Sequence, residues 1–113
     1  MNESKRKNIQ KALGILKDVR MDLLSDGDAT VIEQSLEKAS DILDSVRDEE
    51  SDSMDNMPES LQTSDRYYKM EEAVQDLEDA VSHIGYAVHE LKDTEEAVSY
   101  VQRAIEFAVS ATR

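Results

Sequence analysis

Met70, Val74, Leu77, Val81, Ile84, Val88 and Leu91 follow one another at spacings of 4, 3, 4, 3, 4 and 3 residues. An α-helix brings such positions onto one face, whereas a strand scatters them over two. Ala73, Ala80 and Ala87 widen the stripe on one side, as a helix in a globular bundle needs. Ile32, Leu36, Ala39, Leu43 and Val46 repeat the spacing earlier, and Val98, Val101, Ile105 and Ala108 continue it late, with Phe107 on the flank. Ile9, Leu13, Leu16, Val19 and Leu23, with Ala12 alongside, form a looser series. No segment alternates with period 2.

The breaks between these ladders carry turn and cap chemistry. Ser25-Asp26-Gly27-Asp28 reads as a turn in which Gly27 takes positive φ. Ser25 with Asp28, or Thr30 with Glu33, has capping-box spacing for the next helix. Pro58 pushes Met57 out of the α region, so the second helix should end by about Met57. Ser64 can cap the third helix. Lys92-Asp93-Thr94-Glu95-Glu96 lacks Gly and Pro, but Asp93 and Glu96 have the capping-box spacing. A short turn is favoured there, because one helix from Asp65 to the last residue would run about 70 Å at 1.5 Å per residue. The predicted helices are 5–24, 30–50 (or as far as 56), 65–92 and 94–111, with a connector at 57–63.

Short turns between long amphipathic helices imply antiparallel neighbours. The fold class is therefore all-α: a single domain over 1–113, an antiparallel bundle of about four helices built as two hairpins. A shift of 65 residues places Ile9, Ala12, Leu16, Val19 and Leu23 on Val74, Leu77, Val81, Ile84 and Val88, and Ile32, Leu36, Ala39 and Leu43 on Ala97, Val101, Ala104 and Ala108. Two related hairpins, or the general tendency of heptad helices to align, account for it. The core side chains are small, and the stripe of helix 65–92 outruns helix 5–24. Either the remaining helices cover the excess or another copy of the chain does, and a homodimer is expected.

Composition enters through charge. The chain has 26 acidic and 13 basic residues, a formal net charge of −13. Residues 1–20 hold six basic and two acidic side chains, or +4, so the other 93 carry −17. Acids concentrate at Asp41, Asp44, Asp48, Glu49, Glu50, Asp52, Asp55 and Glu59, and again at Glu71, Glu72, Asp76, Glu78 and Asp79. Such a surface repels DNA and RNA, so direct nucleic-acid binding is not expected. The basic start of the chain is expected to pair with acids elsewhere in the bundle. Absence of cysteine removes disulfides, thiolate metal sites and thiol nucleophiles. No apolar run reaches the roughly 20 residues of a membrane span, and no signal-peptide core follows the basic N-terminus. A cytoplasmic location in a bacterial host cell is the expectation.

The search for catalytic chemistry is negative. His83 and His89 are six residues apart and face different directions on one helix, so they cannot share a metal. HExxH, Glu-x-x-His and the glycine-rich phosphate-loop patterns are absent. Asp79 and His83, four apart, suggest a surface ion pair. Neither enzyme activity, cofactor nor metal is expected. Aromatics make up 4% of the chain, so their grouping is informative: Arg66, Tyr67, Tyr68 and Lys69 cluster after the connector, and His83, Tyr86 and Glu90 make a stripe off the seam. Gly85 between Ile84 and Tyr86 costs about 1 kcal/mol against alanine and suggests close helix approach or room for a ligand.

Two resemblances attach to these residues. Asn56-Met57-Pro58-Glu59-Ser60-Leu61-Gln62, with Ser64, Arg66 and Met70-Glu71-Glu72-Ala73, resembles a pattern of small uncharacterised acidic helical proteins of phages and mobile elements of Gram-positive bacteria. It covers roughly residues 47–92 and implies provenance rather than activity. Leu77-Glu78-Asp79-Ala80-Val81-Ser82-His83-Ile84-Gly85 is similar to a core helix of phage anti-CBASS sponges, helical hairpin proteins that sequester cyclic oligonucleotide signals. His83 stands where that helix has tryptophan.

Three functions fit. The first is an inhibitor whose acidic surface, through Asp48, Glu49, Glu50, Asp52, Asp55, Glu71, Glu72, Asp76 and Asp79, blocks a host CRISPR or restriction effector with a basic groove. The second is a sponge for a cyclic nucleotide, held by Arg66, Tyr67, Lys69, His83 and Tyr86. The third is a structural or regulatory bundle whose acidity serves only solubility.

Overall fold

A computed structural model describes residues 1–113. It contains four α-helices, α1 (Glu3–Leu24), α2 (Ala29–Asp55), α3 (Asp65–His89) and α4 (Thr94–Ala111), with a 3-10 turn at Glu59–Leu61. Each helix packs on its neighbours in sequence, and α1 closes the ring against α4, so α1 and α3 occupy opposite corners. The bundle measures 52 × 21 × 18 Å.

Side-chain caps fix each start. Asn2 accepts from the Lys5 amide, Asp28 from Thr30 and Val31, Ser64 from Tyr67, and Asp93 from Glu96. Each satisfies amides that a first helical turn leaves without intrahelical partners. The cap at Asp93 separates α3 from α4 by a short turn at 90–93.

At the end of α1, Asp26, not Gly27, adopts positive φ (57°). The Gly27 amide donates to the Asp22 carbonyl at 2.8 Å, the long-range bond of a Schellman ending. A Cβ on Gly27 would lie 3.0 Å from that same oxygen. Glycine is needed here for close approach rather than for its φ.

The core is aliphatic: no aromatic side chain is among the buried residues. On α3 it comprises Met70, Ala73, Leu77, Ala80, Ile84 and Ala87, while Val74, Val81 and Val88 are half-buried. The seam has turned toward the alanines, because α4 meets them with Ala97, Val101, Ala104, Ala108 and Ala111. The 65-residue shift holds for the second helices: Ile32, Leu36, Ala39, Leu43 and Val46 coincide with five buried positions of α4. It fails for the first helices, where a 61-residue shift is needed to bring Ile9, Ala12, Leu16, Val19 and Leu23 onto Met70, Ala73, Leu77, Ala80 and Ile84. α2 and α4 both pack on the α3 seam.

Candidate protein-interaction surface

Five aspartates of α2, Asp41, Asp44, Asp48, Asp52 and Asp55, follow at spacings of 3, 4, 4 and 3 and share one outer stripe. Arg47 fixes the direction of that stripe. Its guanidinium lies 2.7 Å from Asp44, 3.1 Å from Asp48 and 3.4 Å from Glu78 of α3. Burial draws the Arg47 pKa down, but the carboxylates of Asp44, Asp48 and Glu78 outweigh it and the net displacement is upward. Glu71 lies two turns before Glu78 on the same flank of α3. The aspartate stripe on the outer face of α2, with Glu71 and Glu78 on the adjoining flank of α3, forms one wall, which at its Asp41 end shares a cleft with Asn8 and Lys11 of α1.

The other acids expected on this surface lie elsewhere. Glu49 sits on the α1 flank of α2, in line with Ser53, whose hydroxyl accepts from Lys5 Nζ at 3.0 Å. Glu72 and Asp76 share a cleft with Ser110 and Arg113 on the α4 side. Asp79 accepts from Gln75 at 3.1 Å on the outer face of α3.

Glu50 is not a surface residue at all. It is 1% exposed, and its Oε1 accepts from Lys5 Nζ at 3.0 Å. Its Oε2 is buried with no hydrogen-bond partner, and the terminal amino group of Met1 is 4.0 Å away. The burial of each member was legible in the ladders. Lys5 lies four residues before Ile9, and Glu50 four after Val46, so both extend a core series. Of the other α1 cations, Lys7 pairs with Glu3 within its own helix and Arg20 donates to Gln102 at 2.6 Å. Lys5 alone makes an inter-helix ion pair, so α1 keeps a largely unpaired basic face diagonal to α3.

The five residues expected to hold a nucleotide do not converge. Arg66, Tyr67 and Lys69 lie in the first turns of α3, with Tyr67 edge-on to Tyr68 at 6.1 Å. His83 and Tyr86 are about 20–30 Å along the helix at 1.5 Å per residue. There His83 packs on Phe107 at 5.1 Å and on Tyr86 at 5.3 Å, and Tyr86 on Tyr100 at 5.5 Å. Arg103 covers Phe107 at 5.7 Å, and these rings roof the α3–α4 groove. His83 Nδ1 lies 2.8 Å from the Asp79 carbonyl, not its carboxylate. A carbonyl only accepts, so Nδ1 carries the proton. Gly85 approaches nothing: a Cβ there meets no atom within 4 Å.

No three His, Asp or Glu side chains are grouped to hold a metal ion, and no helix is long and apolar enough to cross a membrane. The geometry defines an all-helical bundle with an acidic edge and a basic corner. No family model, curated protein or solved structure matches the chain.

Proposed function

We propose that this protein is a non-enzymatic inhibitor of phage or mobile-element origin that acts in the host cytoplasm. Its α2–α3 wall occupies the nucleic-acid groove of a host defence protein, of the CRISPR or restriction-effector kind. The supporting observation is charge per unit length. From Asp41 to Asp55 the wall is about 21 Å long, and seven carboxylates stand against Arg47 alone. That is one net negative charge per about 3.5 Å, close to the roughly 3.4 Å of a single DNA strand.

The test is capture from lysate of a Gram-positive host, with wild type and with the combined variant Asp44→Asn/Asp48→Asn/Asp52→Asn/Asp55→Asn. The expected catch is a nucleic-acid-binding protein that duplex DNA displaces, that elutes at 0.3 M salt or so, and that the variant loses. A catch indifferent to both DNA and the four substitutions sinks the proposal and leaves the bundle's acidity a matter of solubility. The sponge reading has no single cleft to rest on, because its cations and its rings sit apart.

A further inference from the structure

At the end of the bundle where α1 and α3 begin and α4 finishes, Arg6, Arg66, Lys69 and Arg113 line one cleft of about 110 Å³. Met1, Met70, Ala73, Ala111 and the buried Glu50 complete its lining. None of the four cations makes an ion pair: the seven in the molecule involve Met1, Lys5, Lys7, Arg47 and Arg103. None donates a side-chain hydrogen bond either, those from arginine and lysine being confined to Lys5, Arg20 and Arg47. In a chain with twice as many acids as bases, four cations without an ion pair repel one another in one cleft, Glu72 and Asp76 reaching only the adjoining cleft beside Lys69 and Arg113. Arg6, Arg66 and Lys69 also stand in or near first helical turns, where the macrodipole disfavours positive charge. An anion in the cleft relieves both costs.

A second observation points to the same place. Glu50 lines the cleft, is 1% exposed, and keeps Oε2 without a hydrogen-bond partner, the terminal amino group of Met1 standing 4.0 Å away. A buried acceptor left open costs about 1–3 kcal/mol, and a ligand N–H or O–H would satisfy it. Lys5 at 3.0 Å already balances the charge of Glu50, so the cleft remains cationic.

We propose that this cleft binds a small phosphate monoester carrying an adjacent hydroxyl or amino donor. Arg6, Arg66 and Arg113 supply forked donors suited to phosphate oxygens, Lys69 a point charge, and Glu50 Oε2 the acceptor for the donor group. The volume is well below the roughly 300–1,000 Å³ of sites that enclose drug-sized ligands. It suits a phosphate and its neighbouring atoms, not a cyclic oligonucleotide. The site lies at the bundle end and is independent of the α2–α3 wall.

The test is a titration of the full chain, followed through backbone amide shifts, with inorganic phosphate, ribose 5-phosphate and adenosine 5′-monophosphate at constant ionic strength. Saturable shifts confined to residues 2–7, 49–51, 66–73 and 110–113 are expected, with at least one ester binding 5-fold or more tighter than phosphate. Arg66→Gln/Lys69→Gln should weaken binding at least 10-fold, and Lys92→Gln, at the far end of the bundle, should leave it unchanged. Phosphate should also raise the wild-type Tm above an equal ionic strength of chloride, an outcome that does not depend on any variant folding. Non-saturating shifts, equal binding by the Arg66/Lys69 variant, or phosphate and chloride giving the same Tm overturns the proposal.

Discussion

Lys5 and Glu50 show how far one pair can be followed from the chain alone. Each continues a core ladder by one step, so burial was readable for both. Their meeting was not, because it spans 45 residues and depends on α1 and α2 lying side by side at one level. Lys5→Met leaves Glu50 buried without its cation, and we expect a loss of about 3–5 kcal/mol in a urea titration. Lys5→Met/Glu50→Leu should recover most of it, since an apolar pair avoids the desolvation cost. Double-mutant stability no better than that of the single variant contradicts this account. The exposed glycines predict the opposite sign. Gly14 and Gly85 each have open space where a Cβ would stand, so Gly14→Ala and Gly85→Ala should each stabilise by about 0.5–1 kcal/mol. Thermal unfolding reads each as a rise of several degrees. Gly27→Ala, crowding the Asp22 carbonyl, should lower Tm.

Among the elements, helix existence and most ends were legible because period and caps are local. The second helix runs to Asp55 and the third stops at His89, within a few residues of expectation. Pro58 ends the one and the Asp93 cap begins the helix after the other. The buried face of α3 was misplaced toward Val74, Val81 and Val88, since hydropathy ranks valine above alanine. Packing inverted the order: small alanines on α3 and α4 let the two helices approach, and the valines were left at the edge. Ala104, fully buried on α4, should therefore resist enlargement, and Ala104→Leu is expected to cost about 1–3 kcal/mol by denaturant unfolding. Between α2 and α3, Arg47 is the only base inside the acidic wall. Arg47→Gln should destabilise by about 1 kcal/mol at low salt and by less in 0.5 M salt. Because the folded pKa of Arg47 is raised above that of the unfolded chain, its share of stability is fully present below the unfolded value. It fades only as pH rises through the folded value, so the Arg47→Gln deficit should be constant across neutral pH.

For the molecule as a whole, charge is segregated rather than mixed. The wall stands on the outer face of α2 and the adjoining flank of α3, α1 carries most of its cations unpaired, and a cationic cleft lies at one end. This arrangement opposes folding. Asp52 and Asp55 sit in the last turn of α2, where the dipole disfavours acid, and wall carboxylates repel one another at i, i+4. Asp48→Asn/Asp52→Asn/Asp55→Asn should thus gain about 0.5–2 kcal/mol at low salt, measured by urea titration, while losing the captured partner. Stability gained at the cost of binding is the pattern of a surface kept for function. A variant that gains stability and keeps its partner would point instead to an acidity serving solubility alone.

Helical period, cap positions and the excess of acid belong to the linear chain, since each depends on residues within a turn or two of one another. Which acids share an edge, which cations gather in a cleft and which carboxylate disappears inside depend on the rotation and axial level of one helix against another. Those are settled by alanine-sized gaps and by contacts tens of residues apart. Glu50 and Glu49 are adjacent in sequence and equally acidic, yet one is sealed against Lys5 and the other faces water, because 100° of helical turn separates the seam from the surface.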